Sequence, residues 1–393
     1  MARLGPSALA GFAFLCAAGV SLAQGVQGTG VASGDVSIPR ITQHHPWSLW
    51  DAEDISAYRN SLSANPALAA SFHELEAWGN KRITEPLDVP AHKLAPDGTW
   101  DYPDFRRGYQ DSSGKWLWEW RFNTALQQRS ADVSNLGMLY AITGERKYAA
   151  YATRILLELS DAYGNGQGNP DAHGRDHFEA FGFDGGDAGM LLAKACNGYD
   201  LIYVLLSSEE RRHIEQNLIR PLAEHLKIAN YMYTGHDRWA LVCLYGIFIS
   251  GVVLDDQGMI DSTLYGLGGT KEKVTGGFMS DFGPSTLHNG VIWGGAANLD
   301  DQMAAVAVMT TVAEVMMHRG VDLYAYQDKA LRKAFDAAIA GTPMTTLVAL
   351  AGVDAFQYAH RRYQDQSFQR VARELKPGFT LAIGEHLPPL PTQ

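Results

Sequence analysis

From residue 52 to residue 363 the apolar residues of this chain return at helical spacing, and no long run alternates with the two-residue period of a strand. Val, Ile and Thr clusters are few. The spacing predicts helices over 52–63, 66–80, 116–142, 145–162, 188–206, 208–227, 238–254, 300–318, 324–341 and 348–363. Gly144 ends one of them, and Ser207-Ser208 followed by Glu209 and Glu210 makes a strong helix start. These are pairs of amphipathic or wholly apolar helices joined by short turns. Long polar loops interrupt them at 84–114 and 163–187. Such a pattern is satisfied by an all-α fold, an (α/α) toroid or incomplete barrel of helical hairpins with the long loops at one rim. No fixed sequence repeat accompanies the pairs.

Composition narrows the role. The net charge is −11 and no basic stretch stands out, so nucleic acid is not an expected partner. Residues 1–23 read as a signal peptide: Arg3, an apolar run too short and too rich in Ala and Gly to span a membrane, and the small-x-small site Ser21-Leu22-Ala23. Residues 24–40 form a flexible lead-in, and 41–393 are read as a single domain. The expected location is therefore secreted or periplasmic. Cys196 and Cys243 fall in apolar helical stretches and are expected as buried thiols, with a disulfide as the alternative. No Cys/His spacing suits structural zinc, and no phosphate loop or nucleophile elbow follows a strand.

Two polar clusters stand out. Thr234-Gly235-His236-Asp237-Arg238 opens directly into the apolar run Trp239–Val253, at a helix start, where free N–H groups and the dipole favour anions. Downstream, GGFMSDFGPSTLHNGVIWGG supplies Asp281, His288, Asn289 and Trp293. The reading is that these segments face each other across a carbohydrate-binding cleft. The loop HGRDHFE adds Arg175, His177 and Glu179. It lacks helical His-Glu-x-x-His spacing, so it is read as substrate-binding, and no metal ligand is assigned. Trp118 and Arg121 are further candidates for the cleft wall.

These residues resemble a family. His44-His45-Pro46-Trp47, LGMLYAITGERKY from Leu136 to Tyr148, and ACNGYDLI from Ala195 to Ile202 resemble the α-helical toroid polysaccharide lyases. Alginate and glucuronan lyases belong there, as does, more distantly, the helical domain of hyaluronate, chondroitin and xanthan lyases. Val321-Asp322-Leu323-Tyr324 after a long helix also recurs in alginate lyases. Thr234 to Arg238 looks like the T-G-A-N-R helix start of the more distant group, and Gly277 to Gly294 looks like its second conserved segment. The chain departs from that pattern at three places. Asp237 stands where an Asn helps neutralise the substrate carboxylate, Phe282 where a His follows Gln, and Trp293 where a Tyr shuttles the proton. Aligned instead to the alginate lyases' N-N-H-x-x-W, the chain sets His236 on the catalytic His and Trp239 on the Trp, with Gly235 replacing the Asn.

The resemblance implies β-elimination on a uronate polymer of glucuronan or alginate type, with no cofactor. That chemistry needs a group to neutralise the carboxylate, a base for the C5 proton and an acid for the leaving oxygen. Arg238 suits the first task as a charge-assisted partner. His288 or His236 suits the second. Tyr233 and Tyr245 are near in sequence as acids. Asp237 helps only when protonated. Two other readings stay open: a glycoside hydrolase using Asp237 and Asp281 as a carboxylate pair, and a sugar-binding relative without catalysis.

Overall fold

A computed structural model describes residues 45–87, 109–110, 116–117, 120–166, 185–228, 238–282, 287–288, 291–292, 299–342 and 355–374. All lie in the unit 31–393. The helices are α1 (Ala52–Leu62), α2 (Pro66–Arg82), α3 (Trp120–Thr143), α4 (Arg146–Gly166), α5 (Gly185–Ile202), α6 (Ser208–Ile214) and α7 (Arg220–Ile228). They continue with α8 (Arg238–Val253), α9 (Gln257–Tyr265), the short α10 (Phe278–Asp281), α11 (Leu299–His318), α12 (Tyr326–Gly341), α13 (Ala355–Tyr363) and α14 (Gln366–Glu374). Strands β1 (Tyr109–Gln110) and β2 (Trp116–Leu117) pair antiparallel, as do β3 (Leu287–His288) and β4 (Val291–Ile292). The fold is an all-α toroid.

Its wall is made of helices that run the same way. Gly189 on α5 lies against Val242 and Cys243 on α8, and Cys196 Sγ is 3.5 Å from Ser250 Oγ. Equivalent turns therefore touch along both helices, which makes α5 and α8 parallel. Gly137 and Val133 of α3 meet Gly198 of α5 in the same sense. The return helices pack outside: α4 on α3, α7 on α5, α9 on α8 and α12 on α11. Every residue from Ala240 to Val253 is buried, as expected of a helix that is apolar all round. Side-chain caps fix where α1, α2, α6 and α9 begin. Asp51 accepts from the Glu53 and Asp54 N–H groups and Asn65 from Leu68, Ser207 and Glu210 complete a capping box, and Asp256 caps α9.

Glycine sets the closest approach. A Cβ on Gly189 would stand 2.6 Å from the Val242 carbonyl oxygen, and one on Gly246 would stand 2.5 Å from the Gly189 oxygen. The two backbones touch there, and no side chain fits between them.

The segment 45–51 straps one end of the ring. Asp200, at the end of α5, accepts from the Trp47 N–H at 3.0 Å, the Ser48 N–H at 2.8 Å and His45 Nδ1. The His45 ring stacks on Tyr203, with Arg211 over the other ring at 4.3 Å. The Ser48 carbonyl takes a bond from His318 Nδ1 at 2.7 Å, and the Arg319 guanidinium lies 4.4 Å over Trp47. Burial holds the Arg319 pKa down while the Asp255 carboxylate opposes the shift. The C-terminal ends of α5, α8 and α11 thus meet at one strap. Arg361 of α13, 3.0 Å from Asp54 of α1, joins the last helices to the first.

The structure corrects several predicted boundaries. Trp116-Leu117 is a strand paired with Tyr109-Gln110, and the helix begins at Trp120. In Trp-Leu-Trp-Glu-Trp the aromatics alternate, so strand and helix compete there on equal terms. The helix predicted over 188–206 starts at Gly185 and yields to a 3₁₀ turn at Tyr203–Leu205. That over 208–227 is split by a π turn at Glu215–Ile219. The one at 324–341 starts at Tyr326 and is kinked where Gln327, Asp328 and Lys329 take φ near +50°. Helices α9, α10 and α14 lie outside the predicted set: they are short, of nine, four and nine residues.

Three outcomes follow from this packing. Gly189→Ala should destabilise the fold by about 1–3 kcal/mol or more in urea unfolding, because α5 and α8 have to separate. Asp200→Ala should cost about 3–5 kcal/mol in the same measurement, since two N–H groups and His45 lose a buried partner. Cys196 and Cys243 are buried thiols, and burial pushes the Cys196 pKa up to about 12. Neither should react with an aromatic disulfide reagent until denaturant is added; rapid labelling of the native protein would contradict the packing.

Candidate functional site

Parallel helices gather their N-terminal ends at one place. With the C-terminal ends of α5, α8 and α11 held at the strap, Gly185, Arg238 and Leu299 open their helices at the opposite end of the ring. Trp120 opens α3 on the same side. The free N–H groups and positive dipole ends of four helices therefore point the same way, a setting that favours negative charge. The polar clusters singled out from sequence precede these four helices in the chain. Trp118 leads into α3, where Arg121 is the second residue. Arg175, His177 and Glu179 come before α5. His236 and Asp237 directly precede Arg238, the first residue of α8. Asn289 and Trp293 come before α11, and His288 is a β3 residue paired with Val291. Trp118, Arg175, His177, Glu179, His236, Asp237, Asn289 and Trp293 lie outside the described residues. For Arg121, Arg238 and His288 the backbone position is described and the side chain is not.

Asp281 is a correction in part. It sits on α10 with no exposed surface, and Phe282 beside it is equally buried, edge-on to Tyr326 with ring centroids 6.3 Å apart. This stretch of the second cluster is packed interior rather than an open cleft surface. The carboxylate-pair reading thereby has one member buried and the other, Asp237, outside the described residues. Tyr245 also turns inward, between α5 and α8. Its hydroxyl accepts a long 3.5 Å bond from Asn197, and burial pushes its pKa up to about 12.

The segments that carried the family resemblance have structural jobs. His45 and Trp47 belong to the strap and bind Asp200 of the ACNGYDLI segment, whose Gly198 packs on Gly137 of LGMLYAITGERKY. In Val321-Asp322-Leu323-Tyr324, Asp322 accepts from the Tyr324 and Ala325 N–H groups, and the Tyr324 hydroxyl donates to Glu314 at 2.6 Å. Arg362 grips the same carboxylate through two bonds of 2.9 and 2.6 Å. Burial, with Glu314 beside it, holds the Tyr324 phenol protonated. Sequence reasoning did not single out these groups as a set, nor the group Asp51, Asp54 and His318, because their members are distant in the chain.

No family model matches the chain. Over 133 residues, 33% of the chain, it is 34% identical to an alginate lyase of Stenotrophomonas maltophilia. Over 250 residues, 62% of the chain, it is 25% identical to an exo-oligoalginate lyase of Saccharophagus degradans. These matches span only 17% and 30% of the relatives' own lengths. A solved variant of alginate lyase A1-III complexed with a tetrasaccharide superposes with a TM-score of 0.50 at 16% identity, covering 74% of this chain and 86% of that one. The chain is thus alginate lyase-like, in sequence across the matched segments and in its helical fold.

Proposed function

We propose that this protein is a polysaccharide lyase that cleaves an alginate-type uronate polymer by β-elimination. The observation that carries the reading is the common orientation of α3, α5, α8 and α11, whose N-terminal ends gather where the His- and Arg-bearing segments enter. That arrangement suits a polyanion, because helix ends supply fixed positive potential without a mobile counter-charge. The alginate lyases among its relatives support the substrate class.

In this reading Arg238 engages the uronate carboxylate, drawing charge from C5 so that its proton can be removed. His288 or His236 takes that proton. Asp237 orients Arg238, and Asn289, Trp293, Arg175, His177, Glu179, Arg121 and Trp118 contact neighbouring sugars. The C4–O bond to the neighbouring sugar breaks as the C4–C5 double bond forms, and the leaving oxygen takes up a proton from solvent or a nearby acid, so the products are a shortened chain and a fragment ending in the unsaturated sugar. An N-terminal signal peptide over 1–23 would deliver the enzyme to the periplasm or the medium, where such polymers are met. Glucuronan is the second polymer to test, since it presents the same carboxylate beside the same reacting carbon.

The test is ultraviolet absorbance of the unsaturated uronate product on alginate and glucuronan. Absorbance should rise on one of them. The double variant His236→Ala/His288→Ala should lose about 10²–10⁴-fold in rate, the usual contribution of a positioned base. Undiminished elimination in that variant would overturn the roles assigned here. New reducing ends without the chromophore would overturn elimination itself.

A further inference from the structure

At the strap end, His318 is held in one tautomer. Its Nδ1 lies 2.7 Å from the Ser48 carbonyl oxygen, which can only accept, so the ring hydrogen sits on Nδ1. In neutral imidazole, Nε2 is then a bare lone pair. It faces two carboxylates, with Asp54 Oδ2 at 2.9 Å and Asp51 Oδ2 at 4.0 Å. The His318 side chain is 8% exposed and that of Asp54 is 2% exposed. Yet neither Nε2 nor Asp54 Oδ2 makes a hydrogen bond of acceptable direction. The two atoms are close, but they do not point at each other.

We propose that Asp51, Asp54 and His318 bind one divalent transition-metal ion of the zinc type, fastening the start of α1 to the end of α11. The ligand atoms, one from each residue, all lie within 4.8 Å of one another. Ligands about 2.0–2.1 Å from a tetrahedral ion stand roughly 3.3 Å apart, so the observed 2.9 and 4.0 Å bracket the requirement. The outer contacts are those a metal site uses. Nδ1–H donates to a backbone carbonyl, and Arg361 holds Asp54 Oδ1 at 3.0 Å, leaving Oδ2 as the coordinating atom. Asp51 Oδ1 is engaged by the Glu53 and Asp54 N–H groups, which likewise frees Oδ2. With His318 neutral, as a ligand must be, two carboxylates against the Arg361 guanidinium leave an excess negative charge that a divalent cation offsets. Asp51, 30% exposed, lies on the solvent side of the group and leaves a way in. One imidazole with two carboxylates selects a zinc-like ion over calcium or magnesium, which prefer all-oxygen shells.

The test uses the full chain after dialysis against chelator. Zinc chloride should bind at one ion per chain by calorimetry and raise the thermal midpoint. Cobalt chloride should give visible absorption of a low-coordinate site, and calcium chloride should do neither. Asp51→Asn separates the metal from the fold: Asn caps a helix as well as Asp, so the metal-free midpoint should match the parent. Zinc affinity should fall by about tenfold or more with loss of that ligand. Asp51→Ser, another good cap, should behave the same way. No zinc binding by the parent, or equal binding by parent and both variants, overturns the site.

Discussion

The ring depends on one buried carboxylate. A carboxylate at the end of a helix faces the negative end of the dipole and needs strong compensation. Asp200 finds it in two backbone N–H groups and the His45 ring, all from a segment more than 150 residues earlier. Those bonds immobilise 45–48, which in turn presents the Ser48 carbonyl to His318 and the Trp47 ring to Arg319. With the C-terminal ends of α5 and α11 anchored to the same short strap, the wall helices have one common direction. Their N-terminal ends must then gather at the other side. Where the helix starts gather is thus a consequence of what happens at the far end of the ring.

Along the helices, close approach replaces side-chain interdigitation. At Gly189, Gly198 and Gly246 backbones touch neighbouring backbones, and the contacts lie between helices that are not covalent neighbours. These contacts bring α5 near enough to α8 for Cys196 and Ser250 to meet. They leave the long apolar faces of α8 to be covered by α7, α9 and α11. Rigid spacing of this kind fixes where Arg238, as the first residue of α8, begins.

Helical hairpins were legible because their period is local: α1, α2, α4, α8 and α11 fall where the apolar spacing sets them. The Trp116-Leu117 strand was not, since its identity depends on pairing with Tyr109-Gln110 rather than on its own pattern. The glycine contacts were not legible either, because Gly189 and Gly246 look like ordinary helix-interior glycines until α5 and α8 are known to be adjacent. The same holds for His318 and Asp54, 264 positions apart in the numbering and 2.9 Å apart in space. Of the candidate site, sequence supplied the clusters that precede the wall helices. Asp281 is the exception, a polar residue in a loop-like stretch that proved to be a buried helical one.

The family resemblance separates into two kinds of residue. His45 and Trp47 are tied to Asp200 by hydrogen bonds, Gly137 to Gly198 by close packing and Tyr324 to Glu314, so changing one strands its partner in the interior. The departures from the pattern, Asp237, Phe282 and Trp293, fall elsewhere in the chain. Phe282 shows how a departure is absorbed: it is core, packed edge-on to Tyr326. Asp237 is different in kind. It immediately precedes α8 in the chain. In the proposed mechanism an ionised Asp237 orients the Arg238 guanidinium. That mechanism gives the task of neutralising the substrate carboxylate to Arg238 and to the positive ends of the wall helices.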